Sequence, residues 1–236
     1  MNILLTNDDG FDYSGIRLLK EKLDKYARVV IVAPKGPMSA KSCSKTFGVP
    51  LKVIEEEKDI YSVTGTPADC VAFGATSLDI KFDLVVSGVN NGLNIANDIL
   101  YSGTIGACLE GLTYGIPGIA FSCEFNWEIV EKYFDDVWKF IIKNELINKE
   151  YLLNVNFPKG EVVKDIQIGR IYYRKDNNFF TKVEENGYQA FRDIQTEFDE
   201  PYTDCYQIEN GIVSIVPLNR HYYNDNLFEE VSKKIK

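Results

Sequence analysis

From Asn2 to about Ser122, short runs of β-branched and apolar residues alternate with segments whose apolar residues recur every three or four positions. That alternation is the signature of βα units around a parallel sheet. The runs predict strands over Asn2 to Thr6, Arg28 to Ala33, Tyr61 to Thr64, Asp83 to Ser87 and Gly118 to Ser122. Within the second, Val29-Val30-Ile31-Val32 is apolar at every position, as expected of a strand covered on both faces. Helices are predicted between them. Ile16 to Tyr26 carries Ile16, Leu19 and Leu23 at helical spacing, Pro67 to Ser77 begins with proline at a favoured first-turn position, Thr104 to Tyr114 follows a Ser-Gly-Thr entry, and Trp127 to Lys143 is amphipathic.

Beyond Glu145 the texture changes. Tyr151 to Phe157 reads as a strand returning to the sheet, and Ile166 to Tyr173 and Gly211 to Val216 as two more. The polar, aromatic stretch from Arg174 to Asp204 has no clear period and is too long for a bare loop in a compact domain. It is therefore expected to form a β-rich appendage packed on the main domain or on a neighbouring subunit. The resulting expectation is an α/β fold: a mostly parallel sheet flanked by helices over residues 1–165, then a β-rich oligomerisation appendage with a C-terminal helix over residues 166–236.

Composition narrows the partners. With 236 residues, 45% of them hydrophobic, the chain can bury a sizeable core. A net charge of -9 argues against a nucleic-acid backbone or an anionic membrane as the main partner. The short Lys233-Lys234-Ile235-Lys236 end reads as a solvated helix terminus. The 5 cysteines are widely spaced and lack a C-x-x-C pair, which disfavours a disulfide framework and a thiolate zinc site and suits a reducing, cytoplasmic setting. No leader-like segment and no apolar run of about 18 residues is seen, so neither secretion nor membrane spanning is expected.

The chemistry gathers after the strands. In Thr6-Asn7-Asp8-Asp9-Gly10 two adjacent carboxylates meet a glycine turn. Consecutive strand residues point to opposite faces, so Asp8 and Asp9 can converge on one ion only where the strand has ended and Gly10 lets the backbone bend. The same residues also make an ordinary capped turn. Ligands in parallel α/β sheets collect beyond the carboxyl ends of the strands, and there the chain offers Asp8, Asp9, Ser39, Thr66, Asn90 and Asn94. Every candidate is an oxygen donor, which suits a hard cation such as Mg²⁺ or Mn²⁺ rather than zinc. Two carboxylates would neutralise the ion, while neutral Ser39 and Asn90 would leave room for water and an anionic substrate. Tyr101-Ser102-Gly103-Thr104 opens a helix, where N–H groups and the dipole favour a phosphate. Simple capping by Ser102 and Thr104, and loop hydrogen bonding by Ser39, Asn90 and Asn94, are the plain alternatives. His221, the 1 histidine, has no G-x-S-x-G elbow to serve and reads as structural or exposed. Tyr172, Tyr173, Phe179, Phe180 and Tyr188 read first as packing within the appendage and second as base-stacking residues.

The ordered set resembles the SurE family of survival-protein nucleotidases. The resemblance rests on Ile3 to Gly10, Val32-Ala33-Pro34 with Ser39, Gly65 to Val71, Asp83 to Asn90 with Gly92 and Asn94, Tyr101 to Thr104, Leu153 to Asn156 and, more weakly, Val213 to Leu218. It implies a Rossmann-like domain and a divalent-metal-dependent phosphatase for nucleoside monophosphates, with one cation (Mg or Mn, or Ca) per subunit. It carries metal ligands over to Asp8, Asp9, Ser39 and Asn90, and it implies a homo-oligomer, dimer or tetramer. On this reading Asp8 also orients the attacking water or takes its proton, and Asn94, Ser102, Gly103 and Thr104 hold the phosphate. Cleavage of 3'-nucleotides and polyphosphate stays open. The departures are Ala40, Ala96-Asn97 and the loop from Lys41 to Lys45, and none removes a ligand.

Two rivals have specific requirements. A phosphoacceptor signalling module needs an acceptor Asp after a central strand and a later Lys, where this chain has Ser39, Thr66, Asn90 and Ser122. A non-catalytic dinucleotide binder needs G-x-G-x-x-G after the first strand, where carboxylates stand instead.

Overall fold

The computed structural model of the chain describes residues 1–220 and 230–234; His221 lies outside them, as does most of the segment expected to hold the C-terminal helix. Nine strands build one sheet, and the order in which the chain enters it creates the crevice for the site. Five come first in sequence: β1 (Asn2–Thr6), β2 (Arg28–Pro34), β3 (Val53–Glu57), β4 (Ile60–Val63) and β5 (Leu84–Asn91). They are followed by β6 (Gly118–Cys123), β7 (Tyr151–Asn156), β8 (Asp165–Ile168), β9 (Asn177–Glu184), β10 (Gly187–Asp193) and β11 (Ile212–Asn219). The sheet order is β3-β4-β2-β1-β5-β6-β7-β11-β8. The six strands from β4 to β7 pair in parallel, β3 is antiparallel to β4, and β11 is antiparallel to β7 and parallel to β8. The chain thus moves outward from β1 through β2 and β4, then returns to the other side of β1 at β5. Beyond the carboxyl ends of β1 and β5 that reversal leaves a crevice.

Helices cover both faces. On one side α1 (Ser14–Leu23) and α4 (Trp127–Lys143) pack Ile16, Leu19, Phe134 and Trp138 onto Ile3, Leu5, Ile31, Val86 and Phe121. On the other, α2 (Pro67–Ser77) and α3 (Gly103–Thr113) place Cys70, Val71, Ile105 and Leu112 on Leu4, Val30, Val32 and Val85. Odd and even positions of β1 and β2 go to different layers, as a period of two requires. Because both layers are apolar, the strands are apolar throughout.

Residues 166–236 contribute β8 and β11 to the large sheet, and only β9 and β10 stand apart as an antiparallel hairpin. The strand expected over Ile166 to Tyr173 stops at Ile168, after which Tyr172 turns to pack edge-on against Phe198 with centroids 5.2 Å apart. A short helix α5 (Asp204–Glu209) and a 3-10 helix (Ala96–Tyr101) complete the described elements. The 5 cysteines are all free thiols. No described helix is long and apolar enough to cross a membrane.

Candidate active site

The turn after β1 is shaped by its first residue. Asn7 donates through Nδ2 to the Gly10 carbonyl at 2.9 Å and accepts from the Gly10 N–H at 3.1 Å, closing a side-chain-mediated turn. Gly10 sits at φ 126°, a conformation that a side chain would strain. This turn carries Asp8 and Asp9 into the crevice between β1 and β5.

Asp8 is 6% exposed. Its Oδ1 accepts a hydrogen bond from Thr104 Oγ1 at 2.7 Å, and its carbonyl accepts the Met38 N–H at 2.7 Å. Burial raises its pKa above the usual carboxylate range, and the Thr104 bond opposes that. The Asp9 pKa is pushed up to about 6, first by burial and second by the Asp8 charge, against the pull of the Asn91 backbone N–H. Asp9 Oδ2 is buried with no hydrogen-bond partner. A buried carboxylate oxygen without a donor beside a second carboxylate is costly unless the group is protonated or a cation supplies the missing partner. The described residues contain no group of three His, Cys, Asp or Glu side chains able to hold a metal. A cation here would draw on two carboxylates and on neutral oxygens, a donor set that fits Mg²⁺ or Mn²⁺.

Helix α3 starts against this pair. Ser102 Oγ accepts the Ile105 N–H at 3.1 Å as the N-cap. A Cβ on Gly103 would lie 2.9 Å from the Asp8 Cβ, so glycine is what lets the helix start touch the acidic turn. The amides of Gly103 and Thr104 open the helix ahead of any intrahelical acceptor, the arrangement that attracts an anion. Gly103 and Thr104 are therefore brought onto Asp8, with Ser102 capping the helix beside them.

The remaining candidates are placed differently. Asn90, at the end of β5, pairs in register with Ser122, and its amide donates to the Gly92 carbonyl at 2.8 Å. Its neighbour Asn91 is the residue whose backbone reaches Asp9. Asn94 is 5% exposed and held from all sides. Its Nδ2 donates to Ser122 Oγ at 2.8 Å, its N–H to Asn156 Oδ1 at 2.8 Å, and its carbonyl accepts from Asn154 at 2.8 Å and Asn156 at 3.1 Å. It is a fixed point of the loop after β5. Ser39 is exposed and follows Met38, the residue tied to Asp8.

Several residues that the sequence motifs contained, but to which no role was assigned, prove to position the site. Asp69 accepts from the Thr46 N–H at 2.9 Å, Thr46 Oγ1 at 2.7 Å and the Thr66 N–H at 2.9 Å. Although burial works the other way, these bonds hold its pKa below the ordinary value. With the Ser42 N–H on the Tyr101 carbonyl at 3.1 Å, Asp69 ties down the segment that carries Ser39. Its signal was available: Thr66 followed three residues later by Asp69 is a capping box. Asn154 and Asn156 were also visible, as amides alternating within an otherwise apolar strand.

The model of one family, described as Survival protein SurE, matches residues 3–178. A 5'-nucleotidase SurE of Clostridium botulinum (strain 657 / Type Ba4) is 39% identical, with 99% of this chain and 98% of that protein covered. Another, from Clostridium botulinum (strain Alaska E43 / Type E3), is 36% identical with 99% of each covered. Among solved structures, the SurE protein from Aquifex aeolicus superimposes with a TM-score of 0.87 at 35% identity over 100% of both chains.

Proposed function

The chain belongs to the survival protein SurE family, and from that premise we propose that it is a divalent-metal-dependent phosphomonoesterase, a 5'-nucleotidase that hydrolyses nucleoside monophosphates to nucleoside and inorganic phosphate. The observation that carries this reading is the buried, partnerless Asp9 Oδ2 beside Asp8, the carboxylate that touches the start of α3.

Asp8 and Asp9 would hold the cation, with Ser39 and Asn90 as its neutral ligands. When bound, the cation supplies charge neutralisation and polarisation of a phosphoryl oxygen. The protein's own part follows from the geometry. The N–H groups of Gly103 and Thr104 meet phosphate oxygens that gain charge in the transition state, with Ser102 fixing the helix end behind them. Asn94 keeps the loop after β5 in place through its clasp with Ser122, Asn154 and Asn156. Asp8, oriented by Thr104, receives the proton of the attacking water as the water oxygen bonds to phosphorus; the P–O ester bond breaks, and the nucleoside oxygen takes up that proton as it departs.

The experiment is phosphate release from 5'- and 3'-monophosphates of each base and from polyphosphate, with Mg²⁺, Mn²⁺, Ca²⁺ or a chelator. Activity on 5'-monophosphates that vanishes with chelation is expected. Equal turnover in chelator overturns the metal assignment, and nucleotide binding without release of phosphate favours the binding-protein alternative.

The same reading has the chain assemble as a homo-oligomer through its C-terminal third. Support comes from the hairpin, whose Val183 and Tyr188 are exposed near its tip. Light scattering coupled to size exclusion tests it, and a monomer at micromolar concentration refutes it.

A further inference from the structure

A cavity of about 580 Å³ lies between the hairpin and the 3-10 helix Ala96–Tyr101. Tyr101, Phe180, Ala190 and Asn178 are among its lining residues. It has the size of a small-molecule pocket. Tyr101 immediately precedes the Ser102-Gly103-Thr104 turn that touches Asp8. Two residues span at most about 7 Å, so the backbone of this lining residue lies within a nucleotide's length of the helix start that touches Asp8.

Its walls are built to hold a flat ring. Phe180 pairs across the hairpin with Ala190, and Asn178 with Arg192, so all four lie on one face. Arg192 on that face reaches Asp98 of the 3-10 helix, which turns the face toward Tyr101. The residue opposite Phe180 is a bare methyl group, leaving a gap beside the ring. Phe180 is 71% and Tyr101 60% exposed, and neither stacks on another ring among the described residues. Phe179 and Phe191 also line the cavity, but they stack on each other across the hairpin with centroids 5.8 Å apart, so their faces are already taken.

The wall is also held in place. Arg174, whose side chain is 4% exposed, donates to Asp98 at 2.9 Å and to Asp176 at 2.5 Å, and Arg192 bridges the same two carboxylates. Asn97 adds a bond of 2.6 Å to the Arg174 carbonyl. A two-stranded hairpin alone is marginal in water, and this cluster clamps it over the 3-10 helix.

We infer that the slot between Tyr101 and the Phe180–Ala190 face binds the heteroaromatic base of the substrate, with the Asn178 amide facing the base edge. This rests on the nucleotide reading above and assigns that site its base-side half. Stacking between base and aromatic ring is strong enough to change specificity by about tenfold per ring and tolerates every base.

The test compares kcat/KM for adenosine 5'-monophosphate with that for ribose 5-phosphate, in Phe180→Ala and in Ala190→Leu, which fills the gap without removing a ring. Adenosine is titrated calorimetrically into the same proteins. A ratio reduced about tenfold in both variants, with adenosine binding weakened alike, is expected. An unchanged ratio, or equal losses on both substrates with an altered oligomeric state, overturns the assignment. Should no phosphate be released from any substrate, the phosphatase reading falls by itself. Adenosine titration then judges the slot alone: weakening in both variants supports it and unchanged binding overturns it.

Discussion

The crevice at β1 and β5 and the β9–β10 hairpin are held by opposite means. The crevice is walled by strands buried on both faces, and its charged pair is short of partners: Asp9 Oδ2 has none. The hairpin has almost every residue exposed, and the charges at its base are paired, with two arginines shared between two carboxylates. One region uses packing to hold like charges together. The other uses opposite charges to hold a strand pair that packing would not. Core stability and hairpin order should therefore respond to different perturbations.

The largest separation is expected from Asp9→Asn. Removing one of the two carboxylates proposed to hold the cation should lower metal-dependent turnover by roughly 100-fold or more, while the metal-free melting temperature holds or rises because a buried like-charge contact is gone. Wild-type turnover at limiting Mn²⁺ would refute the ligand assignment. Asn90→Asp should split two readouts: cation affinity rises about tenfold through added charge, and kcat/KM drops by a similar factor as the phosphate dianion is repelled. Calorimetry and steady-state kinetics moving in the same direction would place Asn90 away from the ion.

On the hairpin side, Arg174→Ala leaves Asp98 and Asp176 sharing Arg192 alone. A local loss of about 1–3 kcal/mol is expected, read as faster proteolysis near residues 185–186 with the main melting transition unmoved. A global drop in melting temperature would show that the hairpin and sheet unfold as one unit. The smallest effect concerns pH. The raised Asp9 pKa means that the folded, metal-free chain binds more protons than the unfolded one between the ordinary carboxylate value and about 6, so stability falls as pH rises through that window. Mg²⁺ should then raise the melting temperature more at pH 7 than at pH 5, and an equal increment at both would count against the pair as the binding site.

The same contrast governs what the sequence disclosed. β1, β2, β6 and β7 are apolar runs closed by polar turns, and their predicted ends lie within a residue of those observed. β5 runs on to Asn91, past the expected Ser87, because Gly88-Val89-Asn90-Asn91 looks like a loop yet pairs with β6 across an irregularity. β3 was missed: Val53-Ile54-Glu55-Glu56-Glu57 is a charged, exposed edge strand, and such a strand carries no alternation. The hairpin showed itself only as a β-rich texture, since a ribbon exposed on both faces leaves register unmarked. In the site, Asp8, Asp9 and Thr104 follow from where strands end and helices begin. The clasp of Asn94 by Ser122 and Asn156 did not, because partners 28 and 62 residues apart meet only once the sheet exists.

Asp8 and the Thr104 hydroxyl that orients it are separated by 96 residues. On a ribosome adding about 5–20 residues per second, the acidic turn emerges roughly 5–20 s before its partner. For most of that interval β1 can pair with β2, but β5, the strand on its other side, is made only near its end. The nascent chain thus carries a hydrated acidic turn that lacks both the amides for an anion and the hydroxyl for Asp8. The seating of α3 completes the crevice in one late step, so the order of synthesis itself delays the onset of catalysis until the central sheet has closed around β1.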